Sequence, residues 1–251
     1  MGNIKKGLFA LVVMVILAFA AAVQAEAQQT AESFYNRGNE HFDRGDFVRA
    51  VAYYTEAIRL NPNFPTAFKS RGLAHIHLGN YAQAVADFTE GIWFNPNVPN
   101  AFNSRGQAHI HLGNYTQAIA DFNEAIRLNP NHAEAFNNRG IAHSGQGDLA
   151  RAIADFTEVI RLYPNHNFAL NNRGRAHLDR GDFDRAIVDF NEMIRLFPNH
   201  TLAFNNRGLA HANRGDFARA IADWETVLRL NPNHPHARGN IERARQAQRG
   251  E

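Results

Sequence analysis

The sequence predicts an all-α protein built from a linear array of helical hairpins. Gly, Ala and Pro each occupy one fixed position in copies spaced by 34 residues, a period typical of stacked helix pairs. Six copies span residues 31–64, 65–98, 99–132, 133–166, 167–200 and 201–234. The recurring residues are Gly38, Gly72, Gly106, Gly140, Gly174 and Gly208; Ala50, Ala84, Ala118, Ala152, Ala186 and Ala220; and Pro62, Pro96, Pro130, Pro164, Pro198 and Pro232.

The third copy shows how the sequence specifies one hairpin. Pro is tolerated in an opening helical turn, so the first helix is predicted over Pro99–Leu112. Gly113 suits a left-handed C-cap, and Asn114 suits the N-cap of a second helix over Tyr115–Leu128. Pro130 ends that helix because proline disfavours helical geometry in the residue before it.

Small and aromatic residues predict how the two helices of a hairpin pack. Gly106 and Ala118 allow the helices to approach closely, and Phe102, Tyr115 and Phe122 fill the space around that contact. A hairpin of this size does not bury enough apolar surface alone, so neighbouring copies must stack. Residues 235–251 continue the pattern weakly and predict a polar helix that caps the array.

The N-terminus has the pattern of a secretory signal peptide over residues 1–27. Lys5 and Lys6 precede the apolar run Leu8–Val23, and cleavage is predicted after Ala25 or Ala27. An uncleaved membrane anchor is the alternative. The small and polar residues 28–31 predict a flexible junction before the array.

The period, the small residues, the aromatic positions and the closing Pro resemble the tetratricopeptide repeat family over residues 31–234. This resemblance implies a right-handed superhelix of antiparallel hairpins, with the first helices lining a concave groove for a protein or peptide. The sequence departs from the common pattern in two ways. An Arg precedes each first-helix Gly, where Leu is frequent, and a His follows three residues after it, where Tyr is commoner.

Composition excludes several classes of function. The chain has 26 Lys and Arg against 24 Asp and Glu, and removal of Lys5 and Lys6 leaves no net charge to attract nucleic acid. Cysteine is absent, which excludes disulfides and zinc–thiolate sites. Neither a nucleophile motif nor a glycine-rich phosphate loop occurs, so we expect no catalysis and no cofactor.

Six histidines and six arginines repeat along the first helices. Equivalent histidines should lie ~10 Å apart, too far to share one zinc ion, so packing is favoured over a metal site. Burial and the Arg one turn earlier predict histidine pKa values below the ordinary one. The histidines are His41, His75, His109, His143, His177 and His211.

A repeating Asp precedes the aromatic residue of five second helices. We expect each Asp to pair with an Arg of the following repeat, as in Asp87 with Arg105 and Asp155 with Arg173. Pairing inside one repeat is the close alternative. Both arrangements would fix the stacking geometry more than they would add net stability.

An asparagine series predicts the binding surface. Asn side chains recur on first helices, where one amide offers the donors and the acceptor that a peptide backbone requires. The series is similar to the asparagine-lined groove of O-linked N-acetylglucosamine transferase; a merely solvated surface is the alternative. The candidate groove residues, expected to be exposed, are Asn36, Asn103, Asn137, Asn138, Asn171, Asn172, Asn205 and Asn206, with the apolar Ile76, Ile110 and Leu178.

Together these observations predict a periplasmic or secreted adaptor that binds a protein or an extended peptide segment. A self-assembling structural scaffold is the alternative function, and a histidine-rich metal-binding protein is a less favoured one.

Overall fold

The computed structural model describes residues 2–250, and every regular element in that range is an α-helix. Met1 and Glu251 lie outside the described residues, as do the side chains of residues 1–12, 22 and 27, which include the predicted Lys5, Lys6 and Ala27. The helices are α1 (Gly2–Asp43), α2 (Phe47–Leu60), α3 (Pro65–His77), α4 (Tyr81–Phe94), α5 (Pro99–His111), α6 (Tyr115–Leu128), α7 (Ala133–Gly145), α8 (Leu149–Leu162), α9 (Asn167–Asp179), α10 (Phe183–Leu196), α11 (Thr201–Asn213), α12 (Phe217–Leu230) and α13 (Ala237–Arg249).

The helices form two units, residues 1–113 and residues 114–251. In the first unit, each helix from α1 to α5 packs against the next along the chain. In the second unit, the same consecutive packing runs from α6 to α13. Ala237 and Ile241 of α13 are buried against Trp224 and Val227 of α12, so the predicted C-terminal helix closes its end of the second unit. The all-α class with consecutively packed helix pairs is confirmed.

The turn inside each hairpin uses a left-handed glycine. Gly113 has a φ of 75°, a conformation that L side chains rarely adopt, as predicted for this C-cap. Asp148 then accepts a hydrogen bond from the backbone N–H of Arg151 and caps α8. The prediction that the Asn114 side chain caps α6 was wrong. Only the Asn114 carbonyl starts that helix, accepting from the N–H of Ala118 at 3.0 Å.

Close contact between the two helices of a hairpin depends on the first-helix glycine. A Cβ added to Gly140 would lie 2.7 Å from Cε1 of Phe156, whose ring is fully buried. A Cβ on Gly72 would lie 3.0 Å from the Phe88 ring. The ring of the second helix therefore rests on the bare backbone of the first.

In each described pair between a first-helix Arg and the Asp before a second-helix aromatic, both residues belong to one repeat, so the favoured pairing of this Asp with the following repeat was wrong. Arg139 contacts both carboxylate oxygens of Asp155, at 2.6 Å through Nη2 and 3.0 Å through Nε. Arg71 with Asp87, Arg173 with Asp189, and Arg207 with Asp223 repeat this geometry.

The two edges of the Arg139 guanidinium bind different partners, which explains this pairing. Arg139 lies between the second helix of its own repeat and that of the preceding one. Its Nη1 donates to Asn123 of the preceding repeat at 2.7 Å, while the opposite edge binds Asp155. The arginine, and not the aspartate, is the residue that joins neighbouring repeats.

The predicted flexible junction at residues 28–31 was also wrong, because α1 continues through it without a break. Ala31 is fully buried, and Gln28 accepts a hydrogen bond at 2.6 Å from Asn61, the C-cap residue of α2. Contacts with the first repeat therefore hold this segment helical. By length and composition alone, the part of this helix over Val13–Asp43 is long and apolar enough to cross a membrane, a property that signal sequences share.

Candidate functional site

The second unit places three pairs of consecutive asparagines on three first helices. The second turns of α7, α9 and α11 carry them at equivalent positions, one pair per repeat. We call these six residues the amide row. Its members are Asn137, Asn138, Asn171, Asn172, Asn205 and Asn206.

Hydrogen bonds connect the amide row from one repeat to the next. Within a pair, Nδ2 of Asn205 donates to Oδ1 of Asn206 at 3.3 Å, and Asn171 donates to Asn172 at 3.5 Å. Between repeats, Asn206 donates to Asn171 at 3.0 Å, and Asn172 donates to Asn137 at 3.4 Å. A last bond of 3.5 Å joins Asn137 to Asn138. The row is thus one continuous chain of amides across three repeats.

These bonds use only part of the capacity of each amide. An Asn side chain has two N–H donors and two acceptor lone pairs. Within the row, Asn171 gives one N–H to Asn172 and accepts one from Asn206. One donor and one acceptor of Asn171 remain after these two bonds, and the neighbouring amides fix the direction in which they point.

Burial divides the predicted groove residues into two groups. Asn103, Asn138 and Asn206 are only 4%, 8% and 5% exposed, so the expectation that they are exposed groove amides was wrong. Asn137, Asn171, Asn172 and Asn205 are half-buried, so each keeps part of its surface in contact with solvent.

A shallow cavity of about 190 Å³ adjoins Asn172. Ile141 forms an apolar part of its wall, and Arg175 and Asp179, both exposed, bring charges of opposite sign to it. Asp179 is not among the groove residues predicted from the sequence, although Arg175 already breaks an otherwise uncharged series at its position in the repeats. This cavity gives the amide row a neighbouring place for a side chain.

The candidate residues of the first unit lie in different surroundings. Asn36 is exposed, whereas Ile76 and Ile110 are half-buried, and Ile76 packs against the Phe88 cluster. In place of an asparagine pair, the Tyr35 hydroxyl lies 3.3 Å from Oγ of Ser70. In the second unit, Leu178 is half-buried against the Leu170 and Phe190 cluster, so it serves the core as well as the surface.

The first-helix histidines are part of the packing. Burial lowers the pKa of His143, and the nearby Arg139 adds to this effect while Asp155 opposes it. Burial is also the main cause of lowered pKa values for His75, His177 and His211, as predicted. Among the residues that the structure describes, no three His, Asp or Glu side chains are grouped so that they could hold a metal ion.

Family models for the tetratricopeptide repeat match most of this chain. One model matches residues 31–64, a second matches residues 93–133, 103–167 and 137–201, and a third matches residues 173–247. The chain therefore belongs to the tetratricopeptide repeat family, whose members are generally non-catalytic scaffolds. A comparison with curated proteins gives no match.

Solved structures of low sequence identity share this fold. A tetratricopeptide repeat protein from Parabacteroides merdae is 24% identical with a TM-score of 0.74, over 86% of this chain and 87% of that one. PilW, a type IV pilus biogenesis factor, is 17% identical with a TM-score of 0.73, over 85% and 97%. YrrB, described as having an unusual peptide-binding site, is 24% identical with a TM-score of 0.63, over 78% and 98%. This chain spans only 42% of the length of one further solved structure that it matches.

Proposed function

We propose that this protein is an exported adaptor that holds an extended segment of a protein partner along the amide row. The continuous hydrogen-bonded chain of amides is the observation that carries the proposal. It orients the half-buried amides before any ligand arrives, so little side-chain freedom is lost on binding. A backbone needs both a donor and an acceptor, and Asn171 retains one of each.

The spacing of the row suits an extended chain. Neighbouring first helices in a stacked array lie ~10 Å apart, and an extended peptide rises ~3.3 Å per residue. One asparagine pair therefore corresponds to about three peptide residues. The cavity beside Asn172 accepts a side chain of such a segment, while the amides bind its backbone without reading its sequence.

Export is supported by the N-terminal part of α1, where the described side chains between Val13 and Val23 are exposed and mostly apolar. An exported chain would lose this segment or keep it as a membrane anchor. The named roles of PilW in pilus biogenesis and of YrrB in peptide binding agree with an adaptor of this kind.

The test measures binding to an array of peptides from exported proteins of the source organism. Asn171→Ala and Asn205→Ala should each weaken binding about fivefold, the effect of one lost hydrogen bond. Asn213→Ala, at the exposed end of α11 and outside the row, is the matched control. Thermal melts accompany each titration. Unchanged peptide affinity combined with a large loss of stability would show that the row serves only the fold.

Self-assembly is the second candidate function, because the second unit exposes large apolar side chains near its inter-repeat turns. Tyr163 is 56% exposed, Phe168 67% and Leu202 46%. Large apolar side chains exposed at successive turns are typical of a protein contact. Light scattering over a concentration series decides between the two. An adaptor stays monomeric, whereas a scaffold grows in mass as its concentration rises.

A further inference from the structure

The first unit contains a cavity that exists because one residue of the repeat is missing a side chain. Gly91 of α4 occupies the position held by Ala57 and Ala125 and by the larger Val159, Met193 and Val227. Those five side chains are at most 1% exposed. At Gly91 the corresponding space remains open as a cavity of about 110 Å³.

The walls of this cavity are mainly apolar. Phe88 and Ala101 are buried beside it, and Pro65 and Val98 are half-buried at its sides. A dry cavity of about 150 Å³ is large enough for benzene, so the smaller volume here corresponds to one branched aliphatic side chain.

Lys69 lies at the edge of the same cavity and is half-buried. It is the single lysine after the N-terminal leader, at the position where the next four repeats have Asn. Among the described residues no carboxylate forms an ion pair with it. A cation beside an apolar cavity is complementary to an aliphatic group with an acidic neighbour.

An exposed aromatic residue indicates a macromolecular occupant. Trp93 is 74% exposed and replaces an Arg that stands at this position in the other five repeats. Its ring contacts Phe94 at 4.7 Å between centroids, and Phe94 stacks on Phe68 at 6.0 Å. Cβ of Phe68 in turn lies 3.8 Å from the position a Gly91 Cβ would take. Tryptophan is frequent at the centres of protein interfaces, where a partner buries it.

Departures from the repeat thus line one cavity at Lys69, Gly91 and Val98, and two more, Trp93 and Phe94, connect to it through Phe68. We infer that this cavity is a second binding site, for a protein partner that inserts a branched aliphatic side chain and presents an adjacent acidic side chain to Lys69. The site lies wholly in the first unit and does not depend on the amide row.

The test uses the peptide acetyl-Glu-Leu-Glu-amide and the chain purified from an exporting host, with the methyl resonances of Val98 and Ala101 as the readout. A saturable shift is expected with this peptide. A peptide with Ala in place of the central Leu, or with Lys in place of the two Glu residues, should bind with about tenfold lower affinity. The absence of a saturable shift, or equal affinity for the Ala-centred peptide, overturns the inference.

The variants of the cavity and of its equivalent in the first repeat use residues that the chain already has at equivalent positions. Gly91→Val fills the cavity and should weaken binding about tenfold or more, and Lys69→Asn should weaken it about threefold. Ala57→Gly opens a similar space in the first repeat without a lysine, and Asn213→Ala changes an exposed amide of the second unit that lies outside the amide row. Both should bind as the unmodified chain does. Wild-type affinity in Gly91→Val overturns the inference.

Two further outcomes would assign the cavity to another occupant and so reject the inference. Resonance shifts that depend on protein concentration without peptide would mean that a second copy fills it. Affinity for isovalerate equal to that for the peptide would mean that a free carboxylate does.

Discussion

The two units are built from the same 34-residue repeat but differ at positions that the repeat does not need for packing. In the second unit, α7, α9 and α11 carry the same asparagine pair, and the pairs join into one row. In the first unit, α1 and α3 have Tyr35 and Lys69 at the first position of that pair, and α4 contains the Gly91 cavity. Positions that are equal in both units hold the helices together, whereas those that differ form the two surfaces that we propose for recognition.

The shared contacts have the same geometry in both units. Arg71 binds Asp87 at 2.6 Å in the first unit, and Arg139 binds Asp155 at 2.6 Å in the second. The aspartate side chains are 6% and 7% exposed. If these pairs belong to the common framework, breaking one should cost the same in either unit.

The largest effect is therefore expected from removing a buried carboxylate. Asp87→Ala and Asp155→Ala should each lower the free energy of unfolding by about 3 kcal/mol, because each leaves a partly buried guanidinium without its charged partner. Asp46→Ala, which removes a half-buried helix cap and its contacts with the exposed Arg49 and with His41, should cost clearly less. Urea melts followed by circular dichroism measure all three variants.

Unequal losses of stability in Asp87→Ala and Asp155→Ala would mean that the two units do not depend equally on this ion pair. A loss at Asp155 but not at Asp87 would mean that the first unit does not rely on its pair. Losses no larger than that of Asp46→Ala would mean that the Asp series contributes as solvated surface.

Substitutions at two helix glycines should change the free energy of unfolding by smaller amounts, and the two changes should have opposite signs. Gly140→Ala should destabilise by about 2 kcal/mol, because its Cβ would overlap the buried Phe156 ring. Gly91→Ala should stabilise by about 0.5–1 kcal/mol, because the nearest atom to its Cβ is 3.5 Å away and alanine favours the helix. Thermal melts of both variants check the signs. Destabilisation by Gly91→Ala would show that the cavity is not free space.

Much of the fold could be predicted from the sequence because the same helix, turn and packing residues recur in six copies. The period fixes the hairpins, the Gly of each turn takes the predicted left-handed conformation, and Pro marks the end of each second helix. The error at residues 28–31 has a different origin. Those residues are polar and small, but the hydrogen bond from Asn61 to Gln28 and the burial of Ala31 keep them helical, and such tertiary contacts leave no local pattern.

The site was harder to predict, because it depends on side-chain directions that a helical wheel gives only approximately. The wheel directed Asp155 toward the following repeat, but the reach of Arg139 brings the pair together within one repeat. It also placed Asn138 and Asn206 on an exposed face, where the structure buries them. The cavity at Gly91 was missed altogether, although comparing the repeats position by position marks Lys69, Gly91 and Trp93 as departures.

The smallest effect on stability per residue is expected from the first-helix histidines. This effect depends on pH and should differ between the two units. Burial lowers the pKa of His143, His177 and His211 in the second unit, and of His75 in the first. The Arg of each repeat acts in the same direction, whereas the paired Asp, 3.9 Å from Nε2 of His143, opposes it. Neutral imidazole is thus the form that the folded chain favours.

The sign of the pH dependence follows by linkage. In the unfolded chain these histidines take up protons near pH 6.5, while the folded chain takes them up only at lower pH. Stability is therefore fully present above about pH 6.5 and is lost as the pH falls from there toward the lower folded pKa values. Hydrogen exchange of the two units at pH 7.5 and 5.5 measures where the loss occurs, and we expect faster exchange at pH 5.5, after correction for the intrinsic rate, mainly in the second unit. Replacing His143, His177 and His211 with Gln removes the titrating rings but keeps a polar side chain. That variant should lose most of the acid effect in the second unit and keep the smaller effect at His75, whereas an unchanged acid response would exclude the histidines as its cause.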